Sequence, residues 1–198
     1  MKIHYLIQIL LLSCCSILYN VAQAATPSAA MLANTCAGCH GTNGSSVGPA
    51  SPTIAGISKA YFIETMEAYK SGERPSTIMT RIAKGYTDEE IKLMAGFFSK
   101  QKFVRQSQKF DQQKAGKGKK LHKKYCEKCH ENGGRSSEDD AGILAGQWAP
   151  YLVYTMEDFT NGSRPMEKKM KKKLSAMQKK HGDKGINDLI HYYSSQNK

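Results

Sequence analysis

Two halves of this 198-residue chain follow one plan, displaced by 90 residues. At that offset Cys36, Cys39 and His40 fall on Cys126, Cys129 and His130. Without a gap, Ala55-Gly56 falls on Ala145-Gly146, Tyr61 on Tyr151, and Thr65-Met66-Glu67 on Thr155-Met156-Glu157. Tyr69 meets Phe159, and Gly72, Arg74 and Pro75 meet Gly162, Arg164 and Pro165. Self-similarity at one period marks a duplicated structural unit. Each unit then has roughly 80 residues, a size at which an apolar core alone is marginal and some extra staple is the rule. Disulfides do not supply it, because each unit holds its two cysteines in one tight Cys-x-x-Cys-His cluster.

That cluster has its own chemistry. Cys36-Ala37-Gly38-Cys39-His40 and Cys126-Glu127-Lys128-Cys129-His130 have the spacing of c-type haem attachment. Two thiols on one helical turn reach the two vinyl groups of one porphyrin. The next histidine projects toward the iron as proximal ligand. One zinc shared by the four cysteines would leave both histidines and the duplicated surroundings unexplained. A redox Cys-x-x-Cys would need a βαβ context that the sequence lacks. The expectation is two covalent haem c groups, each also filling the core that its unit lacks.

An electron carrier of this kind has a sixth iron ligand, commonly Met, which raises the reduction potential. Met79 lies 39 residues after His40, and Met170 lies 40 after His130. Met166, only 36 after His130, is the alternative in the second unit. Met31, Met66, Met94, Met156 and Met177 read as core or helix positions. His122, His181 and His191 have no counterparts in the first unit, and bis-histidine ligation in the second stays open.

The expected fold is all-α. Phe62, Met66 and Tyr69 recur at helical spacing over 61–70, with a counterpart at 151–159. Thr87-Asp88-Glu89-Glu90 is a capping box that starts a helix carrying Ile91, Met94, Phe97 and Phe98 inward. Ile186, Leu189, Ile190 and Tyr193 end the second unit in the same way. Residues 1–24 read as a cleaved signal peptide: Lys2, a short apolar run, then Ala22-Gln23-Ala24. A lipoprotein box ending at Cys14 is the alternative. The run is too short and broken to cross a membrane. The organisation expected is thus 25–101 as first domain, 102–120 as linker or first helix of the next, and 121–198 as second domain, in a periplasmic protein. Residues 25–101 carry seven Lys/Arg against six Asp/Glu, whereas 102–198 carry 21 against 11. Export excludes nucleic acid as the partner of that basic half, and the run at 168–173 reads as a solvated helix face.

With these motifs in view, the chain resembles the exported dihaem cytochromes c built from two class I domains. It is more closely similar to the dihaem cytochrome subunits of flavocytochrome c sulfide dehydrogenases. The segments that carry the likeness are CAGCHGTNGSSVGPASPTIAG, STIMTRIAKGYTDEEI, KKYCEKCHENGG, ILAGQWAPYL and RPMEKKM. The resemblance implies a heterodimer in which a separate FAD-bearing subunit oxidises sulfide. Electrons then pass through haem one (Cys36, Cys39, His40, Met79) and haem two (Cys126, Cys129, His130, Met170) to a soluble acceptor such as a cytochrome c. This chain would itself do no bond chemistry. A free-standing dihaem carrier serving a terminal oxidase is the alternative. A dihaem peroxidase would need an open sixth position, which paired Met79 and Met170 argue against.

One departure stands out. Gly48-Pro49 fits the loop whose proline carbonyl accepts from the proximal histidine. The register puts Glu138-Asp139 there in the second half, with 143–146 as a substitute. Unequal support of the two histidines would give the haems different potentials.

Overall fold

The computed structural model describes residues 26–138 and 141–197. The expected signal peptide, Cys14 and Asp139 lie outside the described residues. Among those described there is no strand, and no helix is long and apolar enough to cross a membrane.

In the first half, α1 (Ala29–Asn34) starts at Ser28, whose hydroxyl accepts from Met31 N–H. The short α2 (Ala37–His40) follows, then a 3₁₀ turn at Thr42–Gly44. Helix α3 (Lys59–Ser71) begins two residues before the 61–70 stretch, because Ser58 caps it by accepting from Tyr61 N–H at 3.1 Å. Gly72 ends it in the left-handed region at φ 85°, where a side chain would be strained. After α4 (Met79–Ala83) comes α5 (Asp88–Phe98), opened by the expected capping box. Glu90 N–H donates to Thr87 Oγ1 (3.2 Å) and Thr87 N–H to Glu90 Oε2 (2.8 Å). Leu32, Phe62, Met66, Ile91, Met94 and Phe98 close this core, with Phe62 stacked on Phe98 at 5.5 Å between ring centres.

The second half repeats the order. Asp111 caps α6 (Gln112–Tyr125), so the Lys- and Gln-rich stretch at 101–120 is helical from residue 112 onward. A turn at Glu131–Gly134 leads to α7 (Ala149–Thr160), which carries Pro150 in its first turn. Helix α8 (Lys168–Ser194) is capped by Glu167 and broken at Gly182. Leu121, Leu152, Met177, Leu189, Ile190, Tyr192 and Tyr193 form the second core. Lys168, Lys169 and residues 171–173 are exposed on α8, as a solvated face requires.

The duplication reaches the backbone. Gly44 C=O accepts from Ile54 and Ala55 N–H; Gly134 C=O accepts from Leu144 and Ala145 N–H. Gly56 N–H donates to Phe98 C=O, and Gly146 N–H to Tyr193 C=O. Arg74 lies over the Tyr69 ring at 4.7 Å, and Arg164 over Phe159 at 4.2 Å.

The halves meet through the loops that precede α3 and α7. Ile143 joins the first core, and the Tyr61 ring lies against Gly142. Arg74 donates to Tyr151 Oη at 2.9 Å, and Trp148 Nε1 to Ser46 C=O at 3.2 Å. Burial would raise the Tyr151 phenol, but Arg74 and Arg164 together hold it below its ordinary pKa.

Helix α6 crosses α8 at Gly118, where an added Cβ would strike the Asp188 carbonyl. Gly118→Ala is expected to destabilise the haem-loaded protein by about 1–3 kcal/mol. Gly116→Ala, with nothing within 4 Å, should instead add up to about 1 kcal/mol through helix propensity. Urea unfolding followed by circular dichroism separates the two.

Candidate functional site

In each half the motif folds into one helical turn. His40 N–H donates to Cys36 C=O and His130 N–H to Cys126 C=O, both at 2.9 Å. The two thiols and the ring of each cluster therefore issue from a single turn, the arrangement a vinyl-linked porphyrin needs. None of these four cysteines is in a disulfide; Cys36 and Cys126 are half-buried, Cys39 and Cys129 exposed. Burial pushes the Cys36 thiol up against an opposing hydrogen bond with Thr35. It pushes Cys126 up to about 11, against a hydrogen bond with Tyr193. No group of three or more His, Cys, Asp or Glu among the described residues could hold a metal ion, so the two cysteine pairs do not converge on one zinc.

Both histidines suit iron ligation. His40 is buried, and its Nδ1 lies 2.8 Å from the Pro52 carbonyl. A carbonyl can only accept, so Nδ1 carries the proton and Nε2 is bare, the form that an iron ligand needs. Burial lowers the His40 pKa, opposed by that hydrogen bond. Burial also takes His130 down to about 4, with His122 adding to the shift and the Gly142 carbonyl opposing it. Both rings are neutral at neutral pH, as a ligand must be. Nδ1 of His130 is buried, with the Gly142 carbonyl acting on the ring.

Two sequence expectations are corrected here. The carbonyl that supports His40 belongs to Pro52, not Pro49. Pro49 sits in an exposed stretch, whereas Pro52 leads directly into the Ile54-Ala55 strip pinned by Gly44 C=O. The counterpart acting on His130 is Gly142, not a residue within 143–146. Residues 52 and 142 are 90 apart, so the duplication holds at this position too.

Among the methionines, Met79 opens α4, half-buried and packed against the first core. Met166 and Met170 are both half-buried at the start of α8, and the Met170 N–H is held by Glu167. Met66, Met94 and Met177 are buried core residues, as expected, while Met31 is 66% exposed on α1. His191 Nδ1 accepts from Asp111 N–H at 3.1 Å, and His181 meets the Tyr125 ring edge-on.

Sequence reasoning named His122 only as an option for bis-histidine ligation and passed over its burial. It is 1% exposed, with Nδ1 2.9 Å from Tyr193 Oη and Nε2 2.6 Å from Glu127 Oε2. Burial lowers its pKa, and Glu127 pulls it back. The signal was present in the register: residue 122 falls on the buried Leu32. It also passed over Gln147, 4% exposed, whose side chain crosses to Thr53 in the other half.

Residues 25–102 match the Cytochrome c family. Over 68 residues the chain is 48% identical to the cytochrome subunit of sulfide dehydrogenase from Chlorobaculum tepidum. That match takes in 34% of this chain and 61% of the relative, so the chain spans about three fifths of that relative's length. Over 159 residues it is 30% identical to cytochrome c4 of Pseudomonas aeruginosa, covering 74% of this chain and 78% of the other. The reduced recombinant cytochrome c4 from Pseudomonas stutzeri shares the fold, with a TM-score of 0.72 at 24% identity over 86% of this chain and 100% of that one. With its all-helical, two-domain architecture and two covalently bound haem c groups, the chain belongs to the cytochrome c family and transfers electrons.

Proposed function

We propose that this chain relays electrons between two haems, receiving them from an FAD-bearing sulfide-oxidising subunit and delivering them to a soluble acceptor such as another cytochrome c. The observation that carries the relay is the duplicated frame. Each half has a Cys-Cys-His turn over an equivalent loop carbonyl, and those loops touch across the boundary. The flavoprotein partner rests on the 48% identity to a sulfide dehydrogenase cytochrome subunit.

Cys36 and Cys39 would anchor haem one and Cys126 and Cys129 haem two, with His40 and His130 as proximal ligands. Met79 would be the sixth ligand of haem one and Met170 that of haem two, Met166 being the rival. The haems supply one-electron chemistry. The chain's own residues bury both imidazoles and so keep them neutral. In half one Pro52 fixes the ring orientation. The units run over 25–101 and 121–198, joined by 102–120. The chain is exported to the periplasm, its leader cut near Ala24. A free-standing carrier serving a terminal oxidase is the second reading, favoured by the longer match to cytochrome c4.

Purification of the native complex tests the partner: FAD should accompany two haems per chain, and a haem protein recovered only as a monomer without flavin would favour the second reading. Met79→Ala should remove the sulfur-to-iron charge-transfer absorbance of one haem, halving the total. Met170→Ala should remove the other half; if Met166→Ala does so instead, Met166 is the ligand. Replacing Cys36 and Cys39 by Ala should cost one porphyrin in intact mass and leave the first half open to trypsin, because its core is then missing.

A further inference from the structure

We infer that Gln147, a residue of the second half, is a positioning residue for His40, the haem-one ligand of the first half. This rests on the reading of His40 as iron ligand. The Pro52 carbonyl that accepts from His40 and the Thr53 N–H belong to the same planar peptide unit. Gln147 Oε1 accepts from that N–H at 2.9 Å, and Gln147 Nε2 donates to the next carbonyl, Thr53 C=O, also at 2.9 Å. The two bonds make a fork that grips the peptide from its far side.

The fork is itself held. Gln147 is 4% exposed, and its Oε1 takes a second donor, Trp148 N–H, at 3.2 Å. Its own carbonyl accepts from Gln108 Nε2 at 2.9 Å, and Gln108 Oε1 accepts from Ala149 N–H at 2.8 Å. A continuous chain of hydrogen bonds thus runs from the connecting segment, through Gln147 and the Pro52-Thr53 peptide, to the His40 ring.

The electronic effect has a definite sign. A hydrogen bond accepted from the N–H end of a peptide polarises its C=O end. The more negative Pro52 oxygen pulls harder on the His40 Nδ1 proton, which makes the imidazole a more basic ligand. A more basic ligand favours ferric iron and lowers the potential of haem one. The second half has no equivalent fork: the register puts Ile57, whose side chain carries no amide, opposite Gln147. Haem one is therefore the lower-potential centre, and electrons run from it to haem two.

The test is a redox titration of the haem-loaded full chain carrying Gln147→Met, which keeps length and removes the amide. The lower-potential wave should move up, lowering the ferric-to-ferrous ratio of that haem at fixed potential by roughly three- to tenfold, where tenfold is about 59 mV for one electron. The upper wave should stay in place, with two porphyrins in the intact mass. Gln147→Glu, which keeps an acceptor for Thr53 N–H, should hold the lower wave at or below its wild-type position. A lower wave that does not move in Gln147→Met, two waves that move together, or a rise in both variants would overturn the inference. His40→Ala separates this from the ligand reading. If it leaves both low-spin spectra intact, His40 is not the ligand; if it abolishes one while Gln147→Met is silent, only the role of Gln147 falls.

Discussion

Each half of the molecule hangs on one glycine carbonyl. Gly44 (φ 80°) and Gly134 (φ 87°) adopt a backbone conformation that side chains rarely accept, and each carbonyl then takes two N–H donors from a strip ten residues downstream. The strip carries Pro52 in one half and Gly142 in the other against the proximal histidine, and ends at a glycine bonded to the last helix. Three things are fixed at once: the histidine turn, the loop under it and the C-terminal helix. Side chains added to this frame decide the chemistry without deciding the architecture.

The second half exploits that freedom. Where the first packs Leu32 against an all-apolar helix end with Phe97 and Phe98, the second packs His122 among Tyr192, Tyr193 and Glu127. Buried polar groups of this kind cost stability unless they are paired, and His122 has both ring nitrogens beside an oxygen. The excess of basic side chains lies in the same half. The two copies of one duplicated frame thus carry different surroundings.

What the sequence carried openly was local. The Cys-x-x-Cys-His turn needs only five consecutive residues, and the capping box at Thr87 and Glu90 needs four, so both appear in the structure as read. The duplication was legible because one offset holds from Cys36 to Pro75 without a gap. Pro52 was mistaken for Pro49 because two prolines stand three residues apart, and only the Gly44 hydrogen bonds decide which one faces the ring. Lys, Gln and Gly in the first turns of α6 left 102–120 readable as linker or first helix; the helix is held by Asp111 and by packing on α8 that no local pattern encodes. The burial of His122 and the role of Gln147 were hidden for a related reason. Each is a polar residue whose partners lie 71 and 94 positions away.

The boundary between the halves is accordingly part of both sites and not a spacer. Gln147 from the second half grips the peptide beneath His40, and Tyr61 from the first lies on Gly142, beside His130. Arg74 reaches Tyr151 across the same boundary. A chain of two independent beads would leave each histidine loop to solvent, where competing water weakens a hydrogen bond to a carbonyl. Packing the loops against each other removes that water, so the support of His40 in the first half depends on Gln147 in the second. Duplication alone would have made two separate histidine loops; burying them in a shared boundary makes the packing of each loop depend on the other half.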